Sequence, residues 1–146
     1  MKRRNFVQLT CLGCLGTLVG TSLLESCTSA QYVTATFSNN YLQIQKSDFI
    51  SITKEKKTEL PFVLVKHDAL PFPICIYKID ENEYRALYME CTHQGCELKA
   101  YTTQLVCPCH GSEFDNQGKV LEGPADEPLK QFDIKTDPTT LYIKIA

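Results

Sequence analysis

A chain of 146 residues with 43% apolar content is long enough to bury one real core and calls for no second domain. Its formal charge of -2, with lysines and glutamates interspersed, leaves no basic stripe and so excludes a nucleic-acid interface. The eight cysteines are grouped, whereas those of a small secreted disulfide framework would be spread more evenly.

The chain opens MKRRNFVQLTCLGCLGTLVGTSLLESC, a basic start followed by a stretch with no charge between Arg4 and Glu25. That is the layout of an export signal. Arg3-Arg4-Asn5-Phe6-Val7 resembles the twin-arginine address, which is read by the machinery that exports folded proteins. Leu24-Glu25-Ser26-Cys27 resembles a lipoprotein box with Cys27 as the lipidated residue, although Glu25 departs from the small or aliphatic residue usual there. The same segment also reads as a single-span anchor, since about 20 residues cross a bilayer. Either reading makes 1–26 the export segment and tethers the rest outside the cytoplasm. Cys11 and Cys14 lie within this segment. Residues 27–40 read as a linker, because Tyr32 to Asn40 are small, polar or β-branched without helical period.

From residue 41 to 146 the pattern is all-β. Apolar and β-branched runs recur at YLQI (41–44), DFISI (48–52), PFVLV (61–65), PICIYKI (73–79), EYRALYM (83–89), QLVC (104–107), FDIK (132–135) and TLYIKI (140–145). Asp80-Glu81-Asn82, the Pro71 and Pro73 bend and Asp137-Pro138 supply turns between them. TKEKKTE (53–59) reads as a solvated charged loop. Cys75, on the parity opposite Ile74 and Ile76, reads as a buried free thiol. His67, at a strand end, has no ligand-spaced partner and reads as a surface histidine. The expected architecture is a base of two packed antiparallel sheets with a small lobe inserted at about 88–122.

Two boxes interrupt the alternation, CTHQGC at 91–96 and CPCHGS at 107–112, and they hold four of the eight cysteines and two of the three histidines. Cys91-x-His93 and Cys107-x-x-His110 form a four-donor set, since short spacing lets one turn aim both side chains of each half at a common metal region. Zinc can use two thiolates and two imidazoles in the same way. It would leave Cys96 and Cys109 unused, and the simplest use of that pair in an exported protein is a disulfide between the two loops.

The paired boxes closely resemble those of Rieske iron-sulfur proteins. The resemblance implies a 2Fe-2S cluster whose inner iron is held by Cys91 and Cys107 and whose outer iron is held by His93 and His110. It also implies a Cys96–Cys109 loop disulfide, a potential-tuning hydrogen bond from the Ser112 hydroxyl, and a third loop at Gly123-Pro124-Ala125. Two neutral imidazoles in place of two thiolates raise the potential far above that of all-cysteine ferredoxins. Imidazoles can also lose protons, which would couple electron transfer to proton release.

Three departures set this chain apart from the high-potential members of cytochrome bc complexes. Phe114 stands where those members carry a tyrosine, Gln94 where a leucine tip is common, and the charged Glu113 follows the second box. The reading favoured from sequence is therefore an exported Rieske electron carrier, tethered by lipid or by a membrane anchor on the periplasmic side of a bacterial envelope. It would serve an oxidoreductase through a partner such as a cytochrome or a large subunit, and would not be a complete enzyme on its own. The alternatives are the Rieske subunit of a quinol:cytochrome c reductase and, from another class, a non-redox zinc-binding or disulfide-stapled module.

Overall fold

The computed structural model describes residues 30–54 and 56–145, so the segment 1–26 read above as an export signal, with Cys11 and Cys14, and the lipidation candidate Cys27 lie outside the described residues. In chain order the first strands are β1 Tyr32–Val33, β2 Thr36–Ser38, β3 Tyr41–Gln45, β4 Ile50–Thr53, β5 Lys56–Glu59, β6 Phe62–Val65, β7 Ile74–Lys78 and β8 Tyr84–Tyr88. After them come β9 Lys99–Ala100, β10 Gln104–Val106, β11 Glu113–Asp115, β12 Val120–Glu122, β13 Gln131–Phe132, β14 Ile134–Thr136 and β15 Thr140–Lys144. Among the described residues the one helical element is a 3-10 turn, Lys46–Phe49. Each of the eight apolar runs overlaps a strand, with FDIK straddling the end of β13 and the start of β14.

Three sheets carry the architecture. A five-stranded sheet runs β1-β6-β7-β8-β13, a four-stranded sheet runs β14-β15-β3-β2, and a second four-stranded sheet runs β12-β11-β10-β9. The middle strands of the first sheet are covered on both faces, which explains their unbroken apolar sequences. Side-chain alternation then sorts them. Val63, Val65, Ile74 and Ile76 pack against Leu42, Ile44, Leu141 and Ile143 to form the base. Phe62, Leu64, Cys75 and Tyr77 point the other way, onto Leu98, Leu105, Phe114, Ala125 and Leu129 of the lobe. Cys75 is fully buried, and burial pushes its thiol far above the ordinary value. The Tyr77 hydroxyl ties base to lobe by donating toward the carbonyls of Tyr101 (2.8 Å) and Gln104 (2.9 Å). His67 is half-buried, accepts the Ala69 N–H at Nδ1 and packs on Phe37.

The structure corrects three sequence expectations. Residues 32–38 are part of the fold and not linker: β1 pairs parallel with β6, and β2 pairs antiparallel with β3. The β2–β3 connection is the two-residue turn Asn39-Asn40, with φ of 49° and 66°. Asparagine tolerates that left-handed backbone, and it is the hairpin signal inside an otherwise linker-like run. The charged run is not a loop either, because Lys56–Glu59 forms the second arm of the exposed β4–β5 hairpin. The lobe also reaches beyond residue 122, since Ala125 and Leu129 of the next loop are buried in its core.

Candidate metal centre

Box 1 is the loop between β8 and β9, closed at its root by the Glu90–Glu97 bridge. Box 2 is the loop between β10 and β11, closed by the Val106–Glu113 pair. The two loops share one hydrogen-bond plan. In box 1 Cys91 N–H donates to the Cys96 carbonyl (2.9 Å) and Gly95 N–H to the Cys91 carbonyl (2.8 Å). In box 2 Cys107 N–H donates to the Ser112 carbonyl (2.8 Å) and Gly111 N–H to the Cys107 carbonyl (3.0 Å). Gly95 and Gly111, at φ of 70° and 79°, occupy the position in each loop that a side chain would strain.

This twin turn sets the expected donors in two pairs, thiol beside thiol and imidazole beside imidazole. Cys91 and Cys107 are free cysteines, each 2% exposed, buried in the same lobe core and close enough that each thiol shifts the other's ionisation. His93 and His110 stack edge to face with ring centroids 5.1 Å apart, His93 half-buried and His110 exposed. The thiols thus lie inside and the imidazoles outside. Burial pushes the Cys91 thiol up, against the help of the His93 and Gln94 N–H groups. Burial opposes ionisation at Cys107 too, but the Cys109 N–H, the Cys91 thiol and the His110 N–H outweigh it and hold that pKa below the ordinary thiol value.

Cys96 and Cys109 form a disulfide joining the two boxes. The sulfurs of Cys96, Cys109 and Cys107 all lie within 4.8 Å of one another. Two of those three are already covalently joined, so the trio places the disulfide against a candidate ligand sulfur and is not itself a metal site. The third loop closes the arrangement. Ala125 N–H donates to Ser112 Oγ at 3.0 Å, and Thr92 Oγ1 donates to the Glu127 carbonyl at 2.8 Å. A bond therefore links each pair of loops: the disulfide joins boxes 1 and 2, Ser112 joins box 2 to the third loop, and Thr92 joins box 1 to it. Thr92 was not singled out from sequence, although its place between two candidate donors in CTH marks it. Phe114, fully buried, packs in the lobe core directly across from Leu105. Gln94 is exposed on the tip of box 1.

One atom tests whether a metal group fits. His93 Nδ1 is buried with no hydrogen-bond partner, a costly arrangement unless something else binds it. A metal beside it satisfies that lone pair, and two soft thiolates with two imidazoles suit iron-sulfur or zinc chemistry.

Residues 49–133 match the family model described as the Rieske [2Fe-2S] domain. A Bacillus subtilis protein named as a Rieske 2Fe-2S iron-sulfur protein is 52% identical over 62 residues, which cover 41% of this chain and 11% of that protein. The cytochrome b6-f complex iron-sulfur subunit of Chlorobaculum tepidum is 36% identical over 58 residues, covering 38% of this chain and 32% of the subunit. The chain thus matches a third or less of the length of these relatives. Among solved structures, the cyanobacterial plasma membrane Rieske protein PetC3 from Synechocystis superposes with a TM-score of 0.52 at 27% identity, covering 58% of this chain and 87% of that one.

Proposed function

From the premise that this chain belongs to the Rieske [2Fe-2S] family, we propose that it is an exported, membrane-tethered electron carrier serving an oxidoreductase of the bacterial envelope. The family's cofactor is a 2Fe-2S cluster, which when bound takes up and releases one electron at a time. The observation that carries the reading is the convergence of two buried thiols and two outward imidazoles, with His93 Nδ1 lacking any other partner. Cys91, Cys107, His93 and His110 would hold that cluster, the two thiols from the buried side and the two imidazoles from the exposed side. Backbone N–H groups of His93 and Gln94 at the first sulfur, and of Cys109 and His110 at the second, stabilise negative charge there. The disulfide and the Ser112 and Thr92 bonds fix the loops against one another, so little rearrangement is needed when charge changes.

The address rests on residues outside the described part. Arg3 and Arg4 precede the uncharged stretch, and a domain that must carry its metal before export suits a route for folded proteins. Among the described residues no helix is long and apolar enough to cross a membrane. An Arg3→Lys, Arg4→Lys double variant retained in the cytoplasm supports this address, and normal export of it refutes it. A Cys27→Ala chain released from membranes assigns the tether to lipid, whereas one that stays attached assigns it to a spanning segment.

The central test is iron and acid-labile sulfide analysis of the native protein with Cys91→Ser, Cys107→Ser, His93→Ala and His110→Ala alongside. Each substitution removes the cluster if the assignment holds. A colourless protein containing zinc would establish the binding-module alternative. A second redox reading, the Rieske subunit of a quinol:cytochrome complex, is favoured by the likeness to the Chlorobaculum subunit. Exposed Gln94 weakens it, because docking beside an apolar quinol pocket calls for an apolar tip. Co-purification with a cytochrome b would decide for it.

A further inference from the structure

The whole chain carries a formal charge of -2, yet the segment from Glu90 to Pro128 holds seven carboxylates against two lysines. Six of the seven stand in the third loop or at the roots of the two boxes. Glu90 and Glu97 face each other across the root of box 1, and Glu113 and Glu122 are direct cross-strand partners at the root of box 2. Asp126 and Glu127 stand in the third loop, whose Glu127 carbonyl is held by Thr92. All are exposed except Glu113, which is half-buried. Like charges placed directly opposite on paired strands destabilise a sheet, and the ion pairs found among the described residues, Lys78–Glu59 and Arg85–Glu83, lie elsewhere. Among the described residues no cation pairs with these carboxylates, and the one side-chain contact to the opposed pairs is a long one, Gln104 Nε2 donating to Glu113 Oε2 at 3.5 Å.

A separate observation says what meets this face. The outermost donors of the centre, exposed His110 and half-buried His93, lie within the same ring of loops, while the thiols lie inside. An electron enters or leaves where the centre comes nearest the surface, so the redox partner has to make contact here.

We propose that this face docks a one-electron partner protein with a lysine-rich contact surface, which the ring of carboxylates steers and orients. The inference rests on the Rieske reading above and adds the chemistry of the partner. In the step one electron crosses the imidazole edge, the centre of this chain loses one electron, the partner gains one, and no bond is made or broken. A partner of opposite charge gains in encounter rate through long-range attraction that salt screens.

The test uses the reduced holoprotein and two outer-sphere oxidants of opposite charge, tris(phenanthroline)cobalt(III) and hexacyanoferrate(III), mixed by stopped flow at increasing ionic strength. The cationic oxidant is expected to slow on the order of tenfold between low and physiological salt while the anionic one accelerates. In a Glu97→Gln, Glu122→Gln, Asp126→Asn variant both slopes flatten, with iron content and visible spectrum unchanged. Neutralising Glu97 and Glu122 also removes one charge from each opposed pair, so this variant melts higher at low salt. Salt slopes that survive in the variant, or a melting point that falls, overturn the inference, as do wild-type rates that ignore salt or favour the anion. Failure to find a 2Fe-2S cluster would instead overturn the Rieske reading, and the inference with it.

Discussion

Ser112→Ala is the substitution that most directly probes how the loops address the centre. Ser112 is 0% exposed, and its Oγ accepts the Ala125 N–H at 3.0 Å, which commits one lone pair to the third loop and leaves the O–H free to donate. Alanine removes both roles. Ala125 is itself 4% exposed, so its N–H loses its partner with no water to replace it. That costs about 1–3 kcal/mol, read as a lower denaturation midpoint of the holoprotein. Reduction adds negative charge, so a hydroxyl aimed at the cluster stabilises the reduced form more than the oxidised. If that preference is about 1 kcal/mol, the potential falls by about 40 mV for one electron, measurable by protein-film voltammetry. An unchanged potential would mean that the O–H does not address the cluster, and unchanged stability would mean that the tie to Ala125 is dispensable.

Phe114→Tyr should act in the opposite direction, raising the potential by about the same 40 mV if the new hydroxyl reaches a ligand sulfur; a lower potential would show that the second loop is misread. Cys96→Ser with Cys109→Ser opens a link between positions 13 residues apart and should cost about 3 kcal/mol in denaturant titration. Free thiols at both positions in the native protein, found by mass spectrometry, would contradict the pairing. Asp137 accepts from the Tyr142 hydroxyl and from the Thr139 and Thr140 N–H groups, which hold its carboxyl down to about 2 from the ordinary 3.8. A depressed folded pKa contributes stability above the ordinary value that is lost as pH falls through about 2. Asp137→Asn should therefore melt below wild type at neutral pH and converge with it in strong acid; a gap independent of pH would refute the assignment.

The centre was legible because its chemistry is local. Each box packs donors and a glycine into six residues, and the spacing survives any uncertainty about the sheets around it. The bonds that hold the boxes together are not local. Thr92 meets Glu127 across 35 positions and Ser112 meets Ala125 across 13, and no periodicity announces either contact. The strands show the same division. PICIYKI declares itself because both of its faces are buried, whereas TFS (36–38) and KKTE (56–59) are exposed along their whole length and owe their extension to a neighbour's hydrogen bonds. Composition therefore read one as linker and the other as loop. The Asn39-Asn40 turn was the available clue to the first.

The shared middle strands carry a consequence for modularity. Phe62, Leu64, Cys75 and Tyr77 belong to the base by backbone pairing and to the lobe by packing. A fragment cut at the lobe's sequence boundaries would leave Leu105, Phe114 and Leu129 facing water, and the remaining base would expose the other half of the same contact. The electron-carrying end therefore cannot be transplanted onto another scaffold, or shed by proteolysis, as an intact unit. Loss of the visible chromophore and loss of the base sheets should form one cooperative transition, because they share a wall.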